Sequence, residues 1–272
     1  RFEYWKRMQF TNEEWFKIST HIKQRKMLFS SSVFSKKSIN VLNKIGIDVW
    51  KIASGESLDL NLIKEITNIS KKPLLISTGM NNQQEVDKIY NFMKSKKNLF
   101  ILMHCVSQYP SNIKNIGINI LSEYLKKYDC LIGFSDHSGT LEVPTIALEN
   151  KISALEIHVV FDKKLYNPDT TSSITFSDLA YLCNFIKLKN KLYKHSISKN
   201  KIAKKLSKNR KLFSKSLAFI NDMEKGQIIR LNDITLKKPG IGLKWEEKKK
   251  IVGKELIRNK SKNNLIKKSD VK

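Results

Sequence analysis

Cysteine and long apolar runs are scarce in this sequence. The three cysteines, Cys105, Cys130 and Cys183, are odd in number and form no CxxC pair, so neither a disulfide framework nor a zinc ribbon is expected. No run approaches the roughly 20 apolar residues of a membrane span, and no signal-peptide pattern opens the chain. We therefore expect a cytoplasmic protein that does not interact with membranes.

Arginine is also scarce, although the net charge is +26. Such a charge suggests a nucleic-acid-binding protein, but only six of the 51 basic residues are arginine, the usual reader of bases and phosphates. Aromatic residues are not interleaved with the lysine runs, as they are in single-strand binders. We expect a solvated lysine surface and no nucleic-acid partner, with a field that favours an anionic substrate.

Short apolar runs alternate with segments of helical period from residue 27 onward. Continuous apolar runs are typical of strands buried on both faces of a parallel sheet. The predicted strands are Met27–Ser30, Val49–Ala53, Leu74–Ser77, Leu99–His104, Leu131–Phe134 and Ala154–Val159. The predicted helices between them are Lys36–Leu42, Leu60–Ile69, Gln83–Met93, Ile118–Leu125 and Val143–Asn150. This alternation predicts an α/β fold.

Two further helices flank this series. Thr11 and Glu14 form a capping-box pattern that predicts a helix start, and a helix from about Phe176 to Lys194 follows, with Ser177 as its expected cap. Residues 196–210 are polar and highly basic, which indicates a linker. We therefore expect a strand–helix domain over residues 1–195 and a small mixed domain over residues 211–272, in which Ser216–Ile220 and Ile228–Leu231 resemble strands.

Each predicted strand ends in polar or ionisable residues, and functional groups of α/β barrels cluster at such ends. His137 and His158 lie at the ends of consecutive strands, so they are candidate ligands of a divalent metal, although two separately packed histidines remain the alternative. Glu156 shares a strand face with His158 and is a candidate general acid or base. Lys51 and Ser54 suit the capture of a phosphate or carboxylate, whereas Lys51 and Glu56 could instead form a surface ion pair.

Six motifs in this order and spacing resemble the sialic acid synthase family. They are KIASGE (51–56), PLLISTGM (73–80), MHCVSQYP (103–110), IGFSDHS (132–138), ALEIHV (154–159) and YNPD (166–169). The C-terminal stretch from residue 216 is similar to the antifreeze-like SAF domain that is fused to these enzymes. The resemblance implies a TIM (β/α)8-type barrel that lacks its first two strand–helix units, followed by a SAF domain.

The resemblance also implies a role for each site residue. His137 and His158 match the family's metal ligands, with Mn²⁺ preferred and Mg²⁺ or Co²⁺ as alternatives, and Glu156 matches the carboxylate beside the metal. The positions that match the phosphoenolpyruvate site are Ser32, Lys51, Ser54, Ser107 and Ser135. Those that match the amino-sugar site are Glu56, Tyr109 and Asp169, and Glu56 is the candidate to handle a sugar proton. Lys238 stands where the family usually has an arginine that reaches into the partner subunit's active site.

The activity implied is the condensation of phosphoenolpyruvate with N-acetylmannosamine or a related amino sugar, which releases phosphate. A legionaminate or pseudaminate synthase is one alternative. A truncated or degenerate homologue that binds metal and anions without turnover is the other, because an open sheet exposes its edges. By the same resemblance we expect a homodimer in which each SAF domain covers the partner's barrel.

Overall fold

The computed structural model describes residues 2–272 and divides into two compact units, one ending at Asn190 and the other spanning Lys191–Lys272. No helix among the described residues is both long and apolar enough to cross a membrane. The basic stretch predicted as a linker belongs to the second unit by this division and is largely helical.

The first unit is built on a sheet whose seven strands are all parallel and follow one another in chain order. The strands are β1 (Ser30–Ser32), β2 (Val49–Ile52), β3 (Leu74–Ser77), β4 (Phe100–His104), β5 (Leu131–Asp136), β6 (Ala154–Val160) and β7 (Ser173–Thr175). The first strand lies later than predicted, because Met27 and Leu28 are exposed. The pattern did not predict β7, which has three residues of which only Ile174 is apolar.

Helices connect successive strands from β1 to β6 as in a βα barrel, two more precede β1, and one follows β7. They are α1 (Phe2–Arg7), α2 (Asn12–Gln24), α3 (Lys36–Ile45), α4 (Leu60–Ile69), α5 (Gln83–Lys94), α6 (Asn119–Lys127), α7 (Glu142–Ala147) and α8 (Phe176–Lys194). The capping box at Thr11 and Glu14 is confirmed. The predicted cap of α8 is wrong, because Thr175 rather than Ser177 accepts the bond from the Asp178 backbone, at 3.2 Å.

The sheet is curled. Lys51 on β2 and Glu156 on β6 come within 3.4 Å of each other, whereas four strand spacings in a flat sheet would separate their strands by about 19 Å. Apolar side chains from strands and helices, including the fully buried Trp50, fill a single core cluster. In the described part of the chain β1 and β7 do not pair with each other, so the curled sheet is an open form of the barrel.

The second unit contains two short helices and a small antiparallel sheet. These elements are α9 (Lys199–Lys205), α10 (Ser207–Phe213), β8 (Ser216–Phe219) and β9 (Ile234–Lys237). The strand predicted at Ile228–Leu231 is wrong: Ile228 makes only an isolated bridge to Glu255. Apolar residues from both strands and the following loops form a second core cluster.

Replacing Asp270 is expected to destabilise the second unit. Its carboxylate is fully buried and lies 2.7 Å from Lys260 Nζ and 3.1 Å from Arg258 Nη2. The Lys267 backbone also donates to Oδ2, at 2.9 Å. Removing one partner of a buried ion pair leaves the other uncompensated, so Asp270→Ala should lower the free energy of unfolding by about 3 kcal/mol.

Chemical denaturation monitored by tryptophan fluorescence measures the effect of that substitution, in a protein that keeps Trp245 of this unit and has phenylalanine in place of the three tryptophans of the first unit. Glu246→Gln is the control, because it removes one negative charge from an exposed side chain of the same unit. A change of less than about 0.5 kcal/mol in Asp270→Ala, the range of ordinary surface substitutions, would show that the pair does not stabilise the unit.

Candidate active site

A cavity of about 330 Å³ opens where the strands of the first unit end. Nine of the residues proposed from the sequence line it, and they come from β1, β2, β5, β6 and the loops that follow β2, β4 and β5. They are Ser32, Lys51, Ser54, Ser107, Tyr109, Ser135, His137, Glu156 and His158. The apolar sheet thus presents a polar, partly cationic cavity at its carboxyl edge, where parallel α/β folds bind their ligands.

The two histidines are neighbours because of the register between β5 and β6. Ser135 lies opposite Glu156 and Asp136 opposite Ile157, which brings the next residue, His137, beside His158. The ring centroids are 5.2 Å apart, with an angle of 78° between the planes. Both imidazoles therefore face the same small volume.

His137 is held in one tautomer. Its Nδ1 lies 2.8 Å from the Val106 carbonyl, which can only accept, so Nδ1 carries the proton and Nε2 presents a lone pair. Nε2 lies 3.3 Å from both the Ser135 and the Tyr109 hydroxyls. Burial lowers the pKa of His137, which favours the neutral ring that a metal or a hydroxyl donor requires.

Tyr109 packs against both histidines. Its ring centroid is 4.2 Å from that of His137 and 5.8 Å from that of His158. Burial raises the pKa of its phenol, so Tyr109 is a neutral hydrogen-bonding group in this wall. On the other side of His158, Nδ1 lies 3.6 Å from Asp169 Oδ2, which leaves Nε2 as the atom available to a ligand.

The donor set of the two histidines fits a divalent metal. The carbonyl at His137 Nδ1 resembles the partners that orient metal-binding imidazoles. Among residues 2–272 no group of three or more histidine, cysteine, aspartate or glutamate side chains is arranged to hold a metal. An ion between the two imidazoles would therefore complete its coordination with water or substrate oxygens, as catalytic ions do.

Lys51 is the buried cation of the cavity, with only 9% of its surface exposed. Its Nζ donates to Ser77 Oγ at 2.6 Å and lies 3.4 Å from Glu156 Oε2. The alternative of a surface pair between Lys51 and Glu56 is therefore wrong: the carboxylate that Lys51 meets is on the opposite side of the curled sheet. These two partners fix the position of Lys51 Nζ, so the ammonium group would not need to move to bind an anion in the cavity.

Gly79 lies against two residues that line the cavity. A Cβ at this position would fall 2.6 Å from Cys105 Sγ and 2.7 Å from Ser107 Oγ, so a larger residue would displace these side chains. The Gly79 amide donates to Ser54 Oγ at 3.1 Å. Ser54 Oγ therefore accepts from the backbone and lies at hydrogen-bond distance from Cys105 Sγ, 3.4 Å away.

Five lining residues were not among the proposed site residues, and two of them, Ser77 and Cys105, carry a hydroxyl or a thiol. Ser77 contacts Lys51, and Cys105, which was expected to be a core residue or bystander, lines the cavity 3.4 Å from Ser54 Oγ. The position of Ser77 at the end of a predicted strand was the available signal. For Cys105 the only signal was its proximity to Ser107 in the chain.

Other polar strand ends do not reach the cavity. The ring of His104 is buried, with Nε2 2.8 Å from the Ile116 carbonyl, and Thr78 Oγ1 donates to the Met103 carbonyl at 3.1 Å. Both side chains therefore stabilise the backbone and do not contribute to the site. Glu56, on a short 3₁₀ turn after β2, does not line the cavity, and Asp169 lies at its rim beside His158.

Lys238 lies in the second unit, where its Nζ sits 5.5 Å from the centre of the Phe213 ring. Cation–π contacts of this kind keep the ammonium near an aromatic face. The predicted role of Lys238 at a partner's active site stays a prediction.

A parallel α/β barrel fold with a polar, lysine-containing cavity at its carboxyl edge defines the class of this protein. The family model described as NeuB family matches residues 1–198, and the SAF domain model matches residues 214–272. The chain therefore belongs to the NeuB family and carries a SAF domain, which confirms the resemblance found in the six motifs.

Curated relatives and solved structures agree with this assignment. The chain is 28% identical over 249 residues to the N,N'-diacetyllegionaminic acid synthase of Campylobacter jejuni, covering 90% of this chain and 74% of that protein. It is 27% identical to the N-acetylneuraminate-9-phosphate synthase of Drosophila melanogaster, covering 93% and 74%. The N-acetylneuraminic acid synthetase structure from Leptospira borgpetersenii superposes with a TM-score of 0.67 at 26% identity, covering 74% of this chain and 71% of that one.

Proposed function

We propose that this protein condenses phosphoenolpyruvate with N-acetylmannosamine or a related N-acetylated amino sugar and releases phosphate. The observation that carries the proposal is that a buried lysine and two neighbouring imidazoles face one cavity of about 330 Å³. The lysine can bind the anionic groups of the donor. The imidazoles can hold a divalent ion, which would polarise the aldehyde oxygen of the acceptor.

The donor would bind at Lys51. A phosphate or carboxylate there gains a charge-assisted bond from Nζ, and hydroxyl groups surround it. These are Ser32, Ser54, Ser77, Ser107 and Ser135, which all line the cavity. Fixing both anionic groups of phosphoenolpyruvate would orient its carbon 3 toward the acceptor, and such positioning lowers the barrier by making the reaction effectively intramolecular.

His137 and His158 would hold the divalent ion, for which Mn²⁺ is our first choice and Mg²⁺ or Co²⁺ the alternatives. Bound there, the ion supplies Lewis-acid polarisation of the sugar aldehyde oxygen. The imidazoles themselves are set for this role by the Val106 carbonyl at His137 and by Asp169 at His158.

The chemistry balances with one water molecule. Carbon 3 of phosphoenolpyruvate forms a bond to the aldehyde carbon, and the aldehyde oxygen becomes a hydroxyl. Water adds to carbon 2, and the tetrahedral intermediate expels phosphate by breaking the carbon 2–oxygen bond. Glu156 lines the cavity and lies 3.4 Å from Lys51, and we propose it as the base that takes the proton of the attacking water.

The identity of the acceptor is the open choice within this function. Relatives act as legionaminic, pseudaminic and N-acetylneuraminate-9-phosphate synthases by name, so related amino sugars are alternatives. At residue 238 a lysine offers a point charge without the planar fork of arginine. We propose that Tyr109 and Asp169, at the wall and the rim of the cavity, contact the acceptor.

We also propose a cytoplasmic homodimer in which the SAF domain of one subunit covers the barrel of the other. Large apolar side chains are exposed on the loop after β6, with Phe161 83% exposed and Tyr166 fully so. Exposed apolar surface next to a site is typical of a protein–protein contact. Light scattering coupled to size-exclusion chromatography tests this proposal, and a monomer at micromolar concentration would contradict it.

The experiment that tests the function is a phosphate-release assay with phosphoenolpyruvate, Mn²⁺ and each of three acceptors. N-Acetylmannosamine and the diacetylated precursors of legionaminate and pseudaminate are the acceptors, and mass spectrometry identifies the nine-carbon product. We expect release that depends on one acceptor. If phosphoenolpyruvate and metal bind but no acceptor produces phosphate, the protein is the binding homologue without turnover.

Gly79→Ala is expected to weaken phosphoenolpyruvate binding while leaving metal binding intact. The added methyl group would overlap Cys105 and Ser107 and push them into the cavity, at a cost of about 1–3 kcal/mol for an overpacked site. Isothermal titration with phosphoenolpyruvate and with Mn²⁺ measures both affinities. Gly55→Ala is the comparison at another position of the cavity lining, since its added methyl group meets only the end of the flexible Met80 side chain, at 3.6 Å, and displaces neither Cys105 nor Ser107. Equal phosphoenolpyruvate affinity in both variants would contradict the expectation.

A further inference from the structure

We propose that Lys163 is a positioning residue for the acceptor side of the site, an inference that rests on the proposed function. The segment between β6 and β7, residues 161–172, is here called the acceptor loop. Lys163 ties this loop to its surroundings so that Asp169 stands beside His158. Lys163 itself is not among the residues that line the cavity, so it would act through the loop and not by touching a substrate.

Lys163 binds two separate parts of the backbone. Its Nζ donates to the Gly139 carbonyl at 2.9 Å and to the Ser173 carbonyl. Gly139 belongs to the loop that follows β5 and His137, whereas Ser173 is the first residue of β7. One ammonium group therefore joins the acceptor loop, the start of β7 and the loop that carries the other histidine. Bonds from a charged donor are among the stronger hydrogen bonds of a protein.

The two loops meet closely at the same place. A Cβ at Gly139 would fall 2.1 Å from the Thr171 carbonyl oxygen, and Gly139 has a φ of +69°. Any other residue would be strained in this conformation and would push the loops apart. The contact of Lys163 with Gly139 thus lies beside a tight backbone packing between the acceptor loop and the β5 loop.

Short hydrogen bonds carry this anchoring on to Asp169. Ser173 Oγ donates to the Asp169 carbonyl at 2.6 Å, and the Asp169 amide donates to Asn167 Oδ1 at 3.0 Å. Asp169 in turn presents Oδ2 at 3.6 Å from His158 Nδ1. Because Lys163 holds Ser173, and Ser173 holds Asp169, displacing the lysine would loosen the rim of the cavity.

The first part of the acceptor loop is exposed from Phe161 to Asp169. Its contacts there are hydrogen bonds, such as that from Thr170 Oγ1 to the Leu165 carbonyl at 2.8 Å, and the ring contact of Phe161 with Phe176, without a buried apolar side chain. Segments of this kind open locally at a low free-energy cost. The donor subsite around Lys51 and Ser77 lies on buried strands instead. Loss of the Lys163 hydrogen bonds, here called the Lys163 clamp, should therefore weaken acceptor binding and leave donor binding unchanged.

The test compares Lys163→Met with Lys163→Arg and with Lys164→Met. Lys164 is the matched control, since it is the adjacent lysine and its side chain makes no ion pair with residues 2–272. We expect Lys163→Met to raise KM for the amino sugar roughly ten- to a hundredfold, the size of effect that a misplaced binding group produces. KM for phosphoenolpyruvate should stay within about twofold, the arginine variant should recover most of the loss, and Lys164→Met should match the wild type.

Hydrogen exchange of the acceptor loop is the second readout, and it needs no turnover. Faster exchange at residues 169–173 in Lys163→Met, but not in Lys164→Met, supports the clamp. An unchanged KM for the amino sugar in an active protein overturns the proposal, as does an equal rise in both KM values. If the wild type shows no turnover with any acceptor, the proposed function fails. Hydrogen exchange then tests the Lys163 clamp separately, and an unchanged exchange rate of the acceptor loop in Lys163→Met would overturn it.

Discussion

Replacing His137 or His158 by alanine is expected to abolish the binding of a divalent ion and, with it, turnover. The two imidazoles are neighbours, with centroids 5.2 Å apart, and no group of three or more potential ligand side chains among the described residues could replace them. Even a lost hydrogen-bond partner of a metal ligand costs ten- to a hundredfold, so losing a ligand should weaken Mn²⁺ binding by more than about a hundredfold.

Isothermal titration with Mn²⁺ measures this effect directly, and the phosphate-release assay measures its consequence. His21→Ala is the control, because His21 is exposed on α2 in the same unit. Circular dichroism would verify that the variants are folded. Unchanged Mn²⁺ affinity in either site variant would remove that histidine as a ligand, and the neighbouring rings would then be a packing feature.

Replacing Lys51 by methionine is expected to weaken phosphoenolpyruvate binding by about a hundredfold. The methionine keeps the volume of the aliphatic stem but removes the charge, and a hydrogen bond to a charged group contributes about 1.5–3 kcal/mol. Direct titration with phosphoenolpyruvate gives the dissociation constant without requiring turnover. Mn²⁺ affinity should change little, because Lys51 does not contact either imidazole.

Two comparisons separate the loss of an anion partner from other causes. Lys64→Met removes the same charge from an exposed position of α4 and should leave phosphoenolpyruvate affinity unchanged. Lys51→Met combined with Glu156→Gln avoids an unpaired carboxylate at the site, so a folded double variant that still fails to bind the donor supports the anion role. Wild-type affinity in Lys51→Met would contradict that role.

The elements that sequence reasoning placed well are those with a strong local signal. Leu60–Ile69 is a helix with the predicted limits, since its apolar periodicity is clear. Phe176–Lys194 also has the predicted limits, although only Leu182 of this helix is buried. The strand β7 was missed because its single apolar residue carries no periodic signal. Met27 and Leu28 look like part of a strand but are exposed, which no local pattern could indicate.

For the site, the sequence revealed the residues but not their partners. Nine of the proposed residues line one cavity because parallel strands bring their carboxyl ends to the same edge of the sheet. The pairing of Lys51 with Glu156 depends on the curl of the whole sheet, and these residues are 105 positions apart, so the nearer Glu56 was the natural but wrong partner. The roles of Ser77 and of the Lys163 clamp likewise depend on tertiary contacts.

The most direct test of the proposed chemistry follows the bridging oxygen of phosphoenolpyruvate. Phosphoenolpyruvate labelled with oxygen-18 between carbon 2 and phosphorus is incubated with the protein, Mn²⁺ and the amino sugar, and both products are analysed by mass spectrometry. Condensation with carbon–oxygen cleavage predicts that phosphate carries the label and forms only when the acceptor is present. Label retained in the organic product, or phosphate released equally without the acceptor, would contradict it.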